Sequence, residues 1–416
     1  MIGRQFHGNF SAEGAVGGRY FVRTIAAVTG ARSDYGLLVP VLRGISTDPA
    51  LRLKLFVTGL HLSPDFGLTV RDVERDFEIT ERVEMLVASD TPEAISKSIG
   101  LAVIGFAQTY ARHRPDMLLV MGDRFETLAA VTAALPFTIP VAHLSGGEAT
   151  EGAIDDAIRH AITKMSHLHF VSLEESRRRV IQMGEEPWRV TVSGEPGLDN
   201  ILTIPTLSTA EIEGLIGMPL EPAPLLVTFH PATLELGRTE IQTAELLTAL
   251  DAVGMPIVFT APNADTEGRV IAALIQDFVR KHANSRYVTN FGTTAYLSMM
   301  RHSAAMVGNS SSGIVEAASF ELPVVNLGSR QRGRVCGKNV IHAELRADAI
   351  VRAIRLALSR DFRECLHGLT NPYGDGKAAP RIIEVLKSVP LDRSLLIKTF
   401  HSLGELSPRE IELQRI

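Results

Sequence analysis

Cysteine is almost missing from this chain: Cys336 and Cys365 are the two in 416 residues. That excludes a disulfide framework and a Cys-based zinc site, and reduced thiols in the cytosol are the plain reading. Lysine is scarce too, 8 against 34 arginines. With a net charge of -5 and no basic block, nothing points to a nucleic-acid partner. No apolar run approaches the ~20 residues that a membrane span needs. Residues 1–21 are polar and Gly-rich without an apolar centre, so they do not form a secretory signal and are expected to be a disordered extension. Low-complexity segments and short-period repeats are absent as well. These absences leave a cytoplasmic protein whose substrate is a soluble metabolite.

The composition is otherwise ordinary, with 45% hydrophobic and 21% charged residues, and this length suits two domains. Short apolar runs alternate with helical patterns. In the first half the runs are Thr24–Val28, Leu51–Val57, Met117–Met121, Ile139–Leu144, Leu168–Val171 and Arg189–Val192. Helical patterns fall at Glu93–Arg112, Phe125–Leu135 and Asp155–Ser166. Continuous apolar strands between helices imply a parallel sheet covered on both faces. The pattern pauses at 201–223, which is rich in proline and reads as a linker. It resumes with Leu225–Phe229, Pro256–Thr260, Ser285–Thr289, Ala304–Val307 and Pro323–Asn326. The expected architecture is therefore α/β, with two doubly wound Rossmann-like domains at 22–200 and 224–375 and an interdomain cleft. Residues 376–416 form a C-terminal helical segment, with Asp392–Ile416 helical and charged.

The polar residues gather just after the expected strands, where ligands bind in such sheets. After the first strand come Arg32 and Asp34; the arginine suits a phosphate or pairs with Asp34. Asp123 and Arg124 follow Met117–Met121, and Asp123 is either a helix cap or a carboxylate aimed into the cleft. Gly146 and Gly147 then precede four acids, Glu148, Glu151, Asp155 and Asp156. Helical spacing sets Asp155 beside Arg159 and Asp156 beside His160. In the second half His230 follows a strand, as does the run from Pro262 through Asn263 to Asp265. The Gly308–Gly313 turn, reading GNSSSG, opens a helix with Glu316 in its first turn. Such a turn either caps a helix or offers N–H groups and hydroxyls to an anion. It lacks the lysine of nucleoside triphosphatases, so a diphosphate without an obligatory metal is the better match. Arg330, Arg332 and Arg334 follow the last strand, where they neutralise phosphate or are simply solvated.

With these motifs in order over roughly residues 24–390, the chain resembles the hydrolysing UDP-N-acetylglucosamine 2-epimerases of sialic and legionaminic acid synthesis. The matching stretches read TGARSDYG at 29–36, MGDRFE at 121–126, GGEATEGAIDDAIRHAITK at 146–164, FHP at 229–231, PNAD at 262–265, GNSSSG at 308–313 and NLGSRQRGR at 326–334. The resemblance implies a GT-B arrangement, a UDP-amino-sugar substrate, no cofactor and no metal, and a homodimer or homotetramer. It also implies anti elimination of UDP followed by syn hydration. Ser310 and Ser311 fall where the family holds the diphosphate, and Glu316 where it holds the ribose. Arg32 and Arg330 fall where it contacts diphosphate or sugar, and His230 lies near the phosphates. Asp34, Arg124, Asp199 and Asn263 complete the expected binding set; Asp123, Glu148 and Asp155 are the expected catalytic acids. One departure matters. A glutamate proposed as catalytic in the sialic-acid branch is Ser145 here. The TEGA segment at 150–153 looks more like the branch acting on UDP-2,4-diacetamido-2,4,6-trideoxy-glucose. A non-hydrolysing epimerase, a GT-B glycosyltransferase and a non-catalytic nucleotide-sugar sensor are the competing readings.

Overall fold

The computed structural model describes residues 22–89, 91–150, 154–231, 237–262 and 267–402. The N-terminal extension, Asn263 and the segment 403–416 lie outside them. Seven strands make the first sheet: β1 (Arg23–Thr29), β2 (Leu51–Thr58), β3 (Ile79–Val83), β4 (Met117–Met121), β5 (Val141–Leu144), β6 (Leu168–Val171) and β7 (Val190–Val192). Six make the second: β8 (Leu225–Thr228), β9 (Ile257–Thr260), β10 (Ser285–Val288), β11 (Ala305–Gly308), β12 (Val324–Leu327) and β13 (Val340–Ala343). Their orders are β3-β2-β1-β4-β5-β6-β7 and β10-β9-β8-β11-β12-β13. All strand pairings among the described residues are parallel, as between Ile25 and Met117 or Val227 and Val307.

Each sheet is buried on both faces, which is why its central strands are apolar throughout. Leu38, Leu42, Leu55 and Leu119 fill one side of the first sheet; Phe56, Phe106, Tyr110 and Val120 fill the other. Leu246, Phe259 and Ile275 cover one side of the second sheet, and Met299, Met300 and Leu226 the other. The strand order reverses between β1 and β4 and again between β8 and β11. Each reversal opens a crevice beyond the strand ends. At the second one the backbones nearly touch: a Cβ on Gly308, at φ +139°, would sit 1.9 Å from the Thr228 carbonyl oxygen, so only glycine fits.

The segment 201–223, expected as a plain linker, contains the helix Thr209–Ile216. Ser208 and Glu211 close its first turn reciprocally, and Ile212 and Ile216 pack into the second core. In the C-terminal segment the helix Ala378–Ser388 returns to the first sheet, burying Ile382 and Leu386 beside Leu38 and Leu42. Of the helix expected over Asp392–Ile416, residues 403–416 lie outside the described residues, and the described part needs correction. Only Arg393–Leu396 is helical there among the described residues, because Arg189 draws the carbonyls of Ser394, Leu395 and Ile397 onto its guanidinium. No helix among the described residues is long and apolar enough to cross a membrane.

Candidate active site

The turn after β1 is held by Asp34. Its carboxylate accepts from the Gly30 and Ala31 amides at 2.9 and 3.0 Å and from the Thr29 hydroxyl at 2.9 Å. This turn-holding role replaces the pairing of Asp34 with Arg32. Arg32 instead crosses the cleft to Asn290 Oδ1, 2.7 Å away beyond β10. Arg124, at the end of β4, forks onto buried Glu126 at 2.7 and 3.1 Å. Burial raises the pKa of Glu126 against the pull of Arg124. Asp199 is likewise engaged by backbone, accepting from the amides of Ala378 and Ala379 at 2.8 and 2.7 Å. It caps the returning C-terminal helix.

The acids after β4 and β5 meet around one buried cation. Arg159, expected beside Asp155, pairs with Asp123 instead. Its other amino group donates to the Glu148 carbonyl and the Thr150 hydroxyl, both at 2.9 Å. Helical spacing only allows a pair of neighbours; here the β4 turn offers a carboxylate in a drier place. Asp156 and His160 do meet as the spacing predicts, at 3.5 Å. Asp155 is accessible from solvent, yet surrounding protein and then the charge of Asp123 raise its pKa. Fully buried His143 ties Gly122 to the next helix, with Nε2 2.7 Å from the Gly122 carbonyl and Nδ1 3.2 Å from the Thr163 hydroxyl. Burial pushes its pKa down to about 3, so the ring is neutral and orients the strand end that carries Asp123.

A second acidic group was not foreseen. Glu195, only 6% exposed, accepts from Ser172 at 2.8 Å and from Ser145 at 3.0 Å. Ser172 also contacts Glu148, at 3.0 Å. Burial, and then the neighbouring Glu148, push the Glu195 carboxyl up to about 7. Across the cleft Arg334 approaches Glu148 to 3.8 Å. Glu195 and Arg334 also feel each other's charge, and Glu316 acts on Glu195. The Glu195 amide donates to the Tyr373 carbonyl at 2.8 Å, and Leu198, Ile314, Val315 and Tyr373 pack as one cluster. The first-half acids and the second-half loops thus line a single cleft. The signal for Glu195 was present, since it follows an expected strand between Gly194 and Pro196. Its hydroxyl partners, Ser172 and Ser145, lie 23 and 50 residues away, which hid it.

On the second-half side, Asn309 clasps His230: it accepts from the His230 amide at 2.7 Å and donates to the His230 carbonyl at 2.8 Å. Arg330 and Gln331 donate to the Asn309 carbonyl at 3.1 and 2.8 Å. Burial, aided by Arg330, drives His230 down to about 3, which makes it a neutral imidazole at pH 7. Ser310 caps the short helix Ser311–Val315, with its hydroxyl 2.9 Å from that of Ser312, while Ser311 is exposed. Burial raises Glu316 to about 7, and its Oε2 is buried without a hydrogen-bond partner among the described residues. A ligand hydroxyl is the kind of group that would satisfy it. No group of metal-ligating side chains occurs among the described residues.

Two parallel doubly wound sheets facing across such a cleft define the GT-B class of nucleotide-sugar proteins. A family model described as UDP-N-acetylglucosamine 2-epimerase matches residues 43–387, and the chain belongs to that family. It is 38% identical over 384 residues to a Campylobacter jejuni GDP/UDP-N,N'-diacetylbacillosamine 2-epimerase (hydrolyzing), covering 92% of this chain and 99% of the relative. A UDP-N,N'-diacetylbacillosamine 2-epimerase (hydrolyzing) from Legionella pneumophila is 37% identical over 91% of this chain and 99% of its own. Among solved structures, the UDP-GlcNAc 2-epimerase from Neisseria meningitidis bound to UDP-GlcNAc superposes with a TM-score of 0.76. It is 19% identical, with 87% of this chain and 99% of that one covered, which speaks to the fold.

Proposed function

We propose that the protein is a hydrolysing 2-epimerase that converts UDP-2,4-diacetamido-2,4,6-trideoxy-glucose to UDP and the free manno-configured sugar. The observation that carries this is the meeting of Asp123, Glu148, Asp155 and Glu195 with Arg334 and Glu316 in one cleft. The activities for which the relatives at 37 and 38% identity are named support the hydrolysing reaction and the diacetamido sugar. A pure binder of an anionic ligand gains nothing from so many carboxylates, which argues against a sensor.

The chemistry has two halves. The C1–O bond breaks with its electron pair going to UDP, while a base takes the C2 proton and that C–H pair becomes the C1=C2 bond. Departure of UDP leads, because the C2 proton is poorly acidic. Arg330, His230, Ser310 and Ser311 steady the leaving diphosphate, and Glu316 takes the ribose. Arg32 reaches the sugar nucleotide from the turn after β1. Asp123, with Asp155 beside it, is the base of this half. Water then adds to C1 and a proton to C2. Because carbon 2 inverts, the proton returns on the face opposite the one it left, so a second proton-handling group is required. The protein works in the cytoplasm as a homodimer or homotetramer.

The test offers purified protein UDP-N-acetylglucosamine and the UDP- and GDP-linked diacetamido sugars in deuterated water. Free sugar with deuterium at C2, formed fastest from the UDP-linked diacetamido substrate, is the expected result. A product still linked to UDP refutes hydrolysis, and preference for UDP-N-acetylglucosamine refutes the substrate. Light scattering reads the oligomer.

A further inference from the structure

The serines between Glu148 and Glu195 are short of hydrogens. Ser172 Oγ lies 3.0 Å from Glu148 Oε1 and 2.8 Å from Glu195 Oε2, and Ser145 Oγ lies 3.0 Å from that same Glu195 oxygen. Three oxygen–oxygen contacts need three hydrogens, and two hydroxyls supply two. The third belongs to a carboxyl. Were both glutamates ionised, one contact would set bare oxygens against each other in a buried place, since Ser172 and Glu195 are 3 and 6% exposed.

We propose that Glu148 and Glu195 share one proton through Ser172, and that this relay carries out the hydration half of the reaction. The inference rests on the hydrolysing reading above. At the Glu148 end the relay's proton passes to C2, which bonds it with the electron pair of the C1=C2 bond. Water oxygen bonds to C1, and its surplus proton passes to the Ser145 hydroxyl, whose own proton moves to Glu195. From Glu195 a proton returns through Ser172 to Glu148, so the relay ends with the proton it began with. Ser145 and Glu148 belong to one turn, so the giving and taking ends are neighbours, as addition to a single face requires. Ser145 thus stands where the resemblance calls for a glutamate, and Glu195 supplies the carboxyl from behind it.

The surroundings suit a group held near neutrality. Glu195 faces Glu148 on the β5 turn and Glu316 on the second half, both of which disfavour its charge. Arg334 and Tyr373 face the pair from the other side, and Arg334 approaches Glu148 to 3.8 Å. Burial leads these influences and leaves Glu195 at about 7, where a proton is easily given and taken. Glu195 is a positioning residue here, acting through the serines.

The test is product partition. Elimination without hydration releases UDP together with the unsaturated sugar, whereas a variant that is merely misfolded or loosened loses both halves together. Glu195→Gln is expected to raise the ratio of unsaturated to saturated sugar by roughly tenfold or more, since a positioned proton-transfer group contributes about 10²–10⁴-fold. Ser172→Ala, which removes only the bridging oxygen, raises the same ratio and serves if Glu195→Gln does not fold. Infrared spectra at neutral pH, which need no turnover, should show one protonated carboxyl fewer in Glu195→Gln. An unmoved ratio in a folded variant, or identical infrared spectra, overturns the relay. A wild-type protein that releases only UDP-linked sugar overturns the hydrolysing reading instead.

Discussion

Arg159→Met tests the centre of the site. Methionine keeps the length of the stem and removes the charge and all donors. The Arg159 side chain is 5% accessible and that of its partner Asp123 22%. Removing one partner of a buried ion pair costs about 3–5 kcal/mol, and the partial accessibility of Asp123 places this case toward the lower figure. The bonds to the Glu148 carbonyl and the Thr150 hydroxyl are lost as well. Bonds to a charged group are worth about 1.5–3 kcal/mol each in isolation, but they share one guanidinium and do not add in full. The expected loss is therefore about 3–5 kcal/mol, a large share of the ~5–15 kcal/mol that holds a typical domain together. Urea unfolding measures it, with UDP release followed on the same samples. Release should fall at least about tenfold, because the Asp123 and Glu148 turns lose their common tether. Arg159→Lys keeps the charge but reaches fewer partners with its point-like ammonium, and should recover only part of both losses. A stability loss below about 1 kcal/mol, the range of exposed pairs, would show that the three groups are held independently and would refute the argument.

Asp199→Asn turns one accepting oxygen toward a donor and should cost about 1.5–3 kcal/mol in thermal unfolding; a raised KM with unchanged stability would instead make Asp199 a substrate contact. Ser145→Glu forces a third carboxylate against Glu195 from a residue already at φ +59°, and should destabilise by about 1–3 kcal/mol with loss of free sugar; a gain in turnover would argue that the site accommodates the glutamate. The pH dependence has a definite sign. An unfolded Glu195 ionises near 4.5, while the folded one keeps its proton to about 7, so the folded state binds more protons in between and loses stability as pH rises through that window. The difference in unfolding free energy between wild type and Glu195→Gln should therefore shrink as pH rises from 4.5 to 7, and a flat difference would mean that Glu195 is not held neutral. Ser310→Ala should weaken UDP binding about threefold to tenfold, as loss of one hydrogen bond implies, in calorimetry; equal affinity would break the diphosphate assignment.

The central strands were legible because burial on both faces leaves an unbroken apolar run, as in Met117–Met121. Two of the four edge strands were not. Ile79–Val83 and Val340–Ala343 each cover one side of a sheet and are mostly half-buried, so Thr80, Glu81, Arg82 and His342 break the run. The helix Thr209–Ile216 was hidden by its flanking prolines, although the Ser208–Glu211 box marked its start. At the site, clustering after strand ends led to Asp123, Glu148, Asp155 and Ser310. It failed where a partner comes from far away in the chain. Arg159 has an acid one helical turn before it, and chooses Asp123 from another strand. Asp34 and Asp199 sit at ligand-like positions, but backbone amides claim their oxygens.

The two acidic groups are held in opposite ways, and that difference fits the two halves of the proposed reaction. Asp123 is paired with a buried guanidinium, which fixes the orientation of its carboxylate and suits the proposed base. Burial and the repulsion of Glu148 and Glu316 favour a retained proton on Glu195, against the pull of its two serine hydroxyls, and so a proton donor for the relay. Carboxylates held in such different surroundings can divide acid and base roles within one site. Inversion at carbon 2 demands such a division, because a group that takes the proton from one face cannot return it to the other without crossing the ring. A single carboxylate would return the proton to the face it came from and regenerate the original configuration. In the proposed reaction Asp123 with Arg159 removes the proton, and Glu148 with Glu195 replaces it on the far side.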